Sequence, residues 1–166
     1  MTCHDEGMNS VAAQLTKDHQ ELHALLLCLA EDAKAPLPGT LQATWTTFEK
    51  RLLRHMETEE HCLLPLIELS DPAEFKRVRT EHARIRGLLT ELGVAIELHT
   101  VREANISELI DLLEAHAKHE NTTLYHMAES KLSAEAYAGI ARLIKQGVGA
   151  AAAAVSGKTA AAKRHS

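Results

Sequence analysis

The chain has 166 residues, enough for one domain with a real core, and its formal net charge of -5 gives no reason to expect nucleic acid as a partner. Aromatic residues are scarce at 3% while Ala, Leu, Glu and Lys abound, a composition that leans towards an all-helical protein. The longest apolar run, around Leu25 to Ala30, is far too short to span a bilayer, and eleven histidines in a chain of this length ask for an explanation.

Met1 to Asn9 is a polar lead without periodicity. From Ser10 to about Asp32, Leu15, His19, Leu22, Leu26 and Leu29 alternate steps of four and three, which predicts a first helix. The Ala35-Pro36-Leu37-Pro38-Gly39 segment breaks it, and Thr40 is the expected N-cap of a second helix. That helix carries Leu41, Trp45, Phe48, Leu52, His55, Glu59 and Cys62 on one seam, and Pro65 ends or kinks it. Asp71-Pro72 reads as an N-cap followed by proline at the first helical position. The third helix presents Phe75, Val78, His82, Ile85, Leu89, Leu92 and Ile96, and a fourth, from about Arg102 to Met127, presents Ile106, Leu109, Leu113, His116, Glu120 and Met127. A shorter fifth helix is expected over Ser133 to Gln146, and Gly147 to Ser166 is an alanine-rich tail with no assigned role. Four long helices with one apolar stripe each and short breaks between them make an all-α, antiparallel up-down-up-down bundle over residues 10–146.

Four histidines and two glutamates occupy seam positions where the pattern asks for Leu or Ile. An unpaired carboxylate there would cost several kcal/mol or stay protonated. His55 precedes Glu59 by four residues and His116 precedes Glu120 by four, so each pair lies on one helix face about one turn apart. His19 lies 36 residues before His55 and His82 lies 34 before His116, so the order His, then His-x3-Glu, runs through the chain twice. Neighbours agree as well: Asp18-His19 with Glu81-His82, Leu63 with Leu124, Glu68 with Glu129. Off the seams, His61, His99, His119 and His126 read as surface groups, Glu57 and Glu60 as solvated helix charges, and Tyr125 as a packing residue.

Imidazole and carboxylate mixtures accept iron, zinc, manganese or copper. Two glutamates facing each other in a bundle core suit the bridging of two ions. No cysteine lies on either His-x3-Glu pair, which argues against an iron-sulfur site. The segments Arg54 to Pro65, Thr80 to Leu89 and His116 to Glu120 resemble the motifs of hemerythrin-like proteins of the HHE cation-binding group, over roughly Leu15 to Met127. The resemblance implies a non-haem centre of two Fe ions bridged by an oxo or hydroxo group, with His19, His55, His82 and His116 as terminal ligands and Glu59 and Glu120 as bridges. Oxygen-carrying members place a second His one turn after the third-helix ligand, where this chain has Arg86, and use an Asp with longer spacing on the fourth helix. The pattern is closer to the iron-centre repair and nitric-oxide-response members. His23, one turn after His19, stands opposite Arg86 if the internal twofold repeat holds; it is either a fifth imidazole ligand or an outer, surface group.

Three functions follow as expectations. The first is a binding or sensing protein for dioxygen, nitric oxide, peroxide or iron itself, acting in stress response or iron handling. The second is an enzyme acting on peroxide or nitric oxide with the same ligands. The third is a structural bundle holding zinc and recruiting a partner. Cys3, Cys28 and Cys62 form no disulfide framework, and the N-terminus lacks the basic and apolar regions of a signal peptide, so a cytoplasmic protein without a membrane partner is expected.

Overall fold

Apolar residues spaced three and four apart commit each segment to burying one helix face, and the computed structural model, which describes residues 10–34, 39–132, 140 and 142, follows that pattern. Helix α1 spans Val11–Lys34, α2 Thr40–Cys62, α3 is the short turn Leu64–Ile67, α4 spans Pro72–Glu97 and α5 Glu103–His119. A π-helical turn over Glu120–Leu124 then runs directly into α6, Tyr125–Glu129. No strand occurs among the described residues. The expected fifth helix, Ser133 to Gln146, lies outside them apart from Ile140 and Arg142, as do the N-terminal lead and the alanine-rich tail.

Local chemistry sets most of the boundaries. The Ser10 side chain accepts the Ala13 N–H at 3.0 Å and caps α1. Asp71 accepts the Glu74 N–H at 3.0 Å ahead of Pro72, the expected start of α4. Thr40 is not the cap of α2: Gly39 holds that place at φ 83°, a left-handed conformation that glycine adopts without strain, and no side chain caps the helix there. Pro65 sits in the first turn of α3, where its missing N–H costs nothing, so α2 ends at Cys62 and a new short helix begins.

The four long helices form a ring in which α1 packs on α2 and α5, and α4 packs on the same two. Two apolar clusters fill it. One holds Leu22, Leu26, Leu29, Trp45, Phe48, Leu52, Ile85, Leu89 and Leu109. The other, towards the opposite end, holds Val11, Leu15, Leu63, Leu64, Ile67, Val78, Leu124, Tyr125 and Ile140. Gly93 lets the Trp45 indole nitrogen come within 3.4 Å of where a Cβ would stand, so the first cluster closes tightly around the one tryptophan. In sequence, His19, His55, His82, His116 and both seam glutamates lie between residues of the two clusters on each helix.

Full burial of a leucine is worth about 1.5–3 kcal/mol, and emptying its place adds a cavity cost. Leu29 is 0% exposed in the first cluster. Leu29→Ala is expected to lower the unfolding free energy by about 2–5 kcal/mol, read by denaturant titration with an unchanged slope.

Candidate metal centre

Each helix of the ring delivers part of one buried polar layer. α1 supplies His19, α2 His55 and Glu59, α4 His82, and α5 His116, with Glu120 at the start of the π turn. Glu59, Glu120 and His82 are 0% exposed, and the other three imidazoles are buried. Two overlapping groups result: His19, His55, Glu59 and Glu120 in one, His82, His116, Glu59 and Glu120 in the other, with the donor atoms of each group within 4.8 Å of one another.

The carboxylates connect the groups atom by atom. Glu59 Oε1 lies 3.2 Å from His55 Nε2, and Glu59 Oε2 lies 3.4 Å from His82 Nε2. Glu120 Oε2 lies 3.2 Å from His19 Nε2, while Glu120 Oε1 lies 3.1 Å from His116 Nε2 and 3.3 Å from His82 Nε2. Each glutamate thus presents one oxygen to each histidine pair. Two atoms of the layer, Glu59 Oε2 and His116 Nε2, are buried without a hydrogen bond, although both lie within ion-pair distance of a neighbour. The Nε2 atoms of His19 and His55 stand 2.9 Å apart, close enough to need a proton or a cation between their lone pairs. Two imidazoles and two carboxylates in each group, two of their atoms without a hydrogen bond, form donor sets that could hold a metal ion.

A family model covers every residue of this layer. The model of the hemerythrin HHE cation-binding domain aligns with residues 10–128 and again with residues 74–147. The chain belongs to the hemerythrin HHE cation-binding family. The second alignment begins on α4, the start of the second half of the internal repeat. Comparison with curated proteins and comparison with solved structures returned no match.

Around the HHE residues runs a ring of outer partners that holds every imidazole by Nδ1 and turns every Nε2 inward. His55 Nδ1 lies 2.7 Å from Asp18 Oδ2, and His116 Nδ1 lies 3.0 Å from Glu81 Oε2. His82 Nδ1 lies 2.8 Å from Glu60 Oε1, and His19 Nδ1 lies 3.2 Å from Asn121 Oδ1. Arginines anchor the acids: Arg51 binds Asp18 and Glu21, Arg77 binds Glu81 at 2.9 Å, and Arg86 grips both oxygens of Glu60 at 2.7 and 3.1 Å. Such partners fix the tautomer and orientation of a ligand imidazole. The expectation for Glu60 is therefore corrected: it is no solvated charge, because α4 brings His82 and Arg86 against it. Arg86 fills the place of a second histidine with the counter-ion of this carboxylate.

Tyr125 packs in the second cluster as expected, and its hydroxyl adds a contact to the layer. It is 1% exposed, and its hydroxyl donates to Glu59 Oε1 at 2.5 Å, with His19 Nε2 at 3.2 Å and Glu120 Oε2 at 3.4 Å. Five residues after Glu120, an α-helical Tyr125 would sit about 140° away around the axis. The π turn over Glu120–Leu124 instead passes the Tyr125 N–H to the Glu120 carbonyl, which brings both side chains to one face. Burial, with the Glu59 and Glu120 carboxylates adding to it, pushes the phenol well above its usual 10. The phenol therefore keeps its proton beside these carboxylates.

His23 is not brought into either group. Four residues place it about 40° round the helix from His19, where its half-exposed ring lies 3.7 Å from Glu114 Oε1. It lines the rim of a cavity of about 520 Å³ between α1 and α5, whose walls include Leu22, Leu26, Leu52 and Leu113 and whose lining includes His19, His55 and His116. His61, His99 and His126 are exposed, as expected. His119 is not a free surface group, since its Nε2 lies 2.5 Å from Glu74 Oε1 and its side chain is 13% exposed.

Burial disfavours the charged His82 imidazole, but hydrogen bonds to Glu120 and Glu59 outweigh it and hold the group at about 10. The hydrogen bond from His116 draws Glu81 down to about 2, with Arg77 adding to it against the effect of burial. A raised imidazole stabilises the fold fully below pH 6.5 and loses that contribution as pH rises through about 10; a depressed carboxylate stabilises above pH 4.5 and loses it as pH falls through about 2. Thermal melts of the metal-free chain are therefore expected to weaken on both limbs. Because bound cations demand neutral imidazoles, saturating metal should flatten the high-pH limb, and a limb equally steep with metal would contradict this layer.

Truncating a shared carboxylate gives a second check. Glu59→Ala and Glu120→Ala should lower metal content and thermal stability together, whereas Glu57→Ala, on an exposed position of α2, should do neither. At metal a hundredfold above its dissociation constant the lost linkage is about 2.7 kcal/mol per ion. Equal effects from all three substitutions would sink the assignment.

Proposed function

We propose that this HHE protein is a non-haem di-iron protein that binds iron and a small ligand, dioxygen, nitric oxide or peroxide, in sensing, stress response or iron handling. The observation that carries the reading is the sharing of Glu59 and Glu120: one oxygen of each faces His19 and His55, the other oxygens face His82 and His116. Such a layer bridges two ions of one kind more naturally than it holds one. Imidazole with carboxylate suits ferrous and ferric iron alike. When bound, the two irons would supply redox equivalents and open coordination positions to the small ligand.

The protein's own part is orientation and exclusion. Asp18, Glu60, Glu81 and Asn121 keep the four imidazoles turned inward, and the two apolar clusters exclude water from either end of the layer. The cavity between α1 and α5 offers a small ligand a route to His19 and His55. Among the described residues no helix is long and apolar enough to cross a membrane, and Cys28 and Cys62 are unpaired thiols, which is consistent with the proposed cytoplasmic setting.

A second reading, an enzyme that reduces or disproportionates peroxide or nitric oxide, draws on one observation. The Tyr125 hydroxyl, which donates to Glu59 Oε1, lies 3.2 Å from His19 Nε2, so a phenolic proton stands beside the layer. Tyr125→Phe would then abolish turnover while leaving iron content intact.

The deciding measurement is metal analysis with an optical spectrum of protein purified in air. Two irons per chain with a near-ultraviolet ligand-to-iron charge-transfer band are expected. One zinc per chain, or no metal, would favour the structural bundle instead. His23→Ala is expected to leave the spectrum unchanged, and a shifted band would make His23 a fifth ligand.

A further inference from the structure

The internal repeat builds its outer shell by rule. The residue before the first histidine of each half reaches the second histidine of the same half: Asp18 to His55, Glu81 to His116. The residue after each seam glutamate reaches the first histidine of the other half: Glu60 to His82, Asn121 to His19. Three of these four partners are carboxylates, and the fourth, Asn121, is a neutral amide.

We infer that the two cation positions are unequal, and that the one built on His19 and His55 is the exchangeable position, taking up and releasing a divalent first-row metal ion through the cavity between α1 and α5. The inference rests on the two-cation reading above. Its first support is the amide. An imidazole whose Nδ1–H donates to a carboxylate is a stronger base at Nε2 than one donating to an amide, and changes in such partners typically alter metal affinity by about 10–100-fold. Thr16 Oγ1 donates to the same Asn121 oxygen at 2.9 Å and draws off more of its electron density. Each of the three acids carries an arginine, so that correction is common to both positions.

The second support lies in the shared carboxylate. Glu59 Oε1, the oxygen facing His55, already accepts the Tyr125 hydroxyl, whereas Glu59 Oε2, facing His82, has no hydrogen bond. The oxygen offered to the second position is the freer of the two. The third support is access. Both imidazoles of the first position line the cavity, against one of the second, His116, while His82 does not, so an ion at the second position is enclosed on more sides.

The test is an anaerobic titration of the metal-free full chain with Co(II), followed by visible absorption and by competition with a chelator, on wild type, Asn121→Asp and Glu60→Gln. Asn121→Asp is nearly isosteric and keeps the Thr16 contact. Wild type should take up two ions in two steps; Asn121→Asp should tighten only the weaker step, by about tenfold or more, and slow the faster phase of chelator-driven release, while Glu60→Gln should loosen the tighter step. Two bound ions whose affinities and release rates ignore Asn121→Asp, or a tighter step that moves instead, would overturn the inequality alone. A single ion per chain in every variant would overturn the two-cation reading and this inference with it.

Discussion

Two carboxylates with no solvent exposure in the middle of an apolar bundle are the constraint on which everything else depends. Glu59 and Glu120 are each 0% exposed and lie among four buried imidazoles. Left alone, each would favour unfolding by several kcal/mol. In the metal-free chain imidazolium protons answer this charge, and His82 and His55 are held above their ordinary range by these neighbours even though burial opposes it. Protons and cations therefore compete for one set of Nε2 and Oε atoms, which couples metal content to folding stability.

That competition is arranged by atoms further out. Every imidazole has one nitrogen committed to an outer acceptor, so only the other is left to bind, and it points inward. The arginines do the same for the acids. Arg86, Arg77 and Arg51 hydrogen-bond Glu60, Glu81 and Asp18, so the acids that orient the inner layer are themselves held by partners. The apolar clusters to either side keep water from dissolving these contacts.

Three departures from twofold symmetry gather around His19 and His55. The π turn is present at Glu120 and absent at Glu59, where α2 stays α-helical to Cys62. It brings a phenol, rather than an aliphatic side chain, against Glu59 Oε1, Glu120 Oε2 and His19. The amide at Asn121 lies on this side too, and the cavity reaches both imidazoles here but only His116 of the other pair.

The sequence alone determined the bundle and the six inner residues, because helix periodicity makes a polar residue on an apolar seam visible and because His-x3-Glu spacing is local. It also showed Asp71-Pro72 as a helix start, since capping is read over four residues. Glu60 and Asn121 are marked in the chain only by directly following a seam glutamate, and which helix each meets depends on how α4 and α1 pack. Tyr125 packs in the second cluster as its pattern implies, but 100° per residue carries its hydroxyl away from Glu120, and only a π turn, invisible to any regular period, returns it. His23 lay in the right turn of α1, but its exposure was decided by the gap between α1 and α5. Spacing along one helix is written in the chain; contacts between helices, and breaks in helical period, are settled when the core closes.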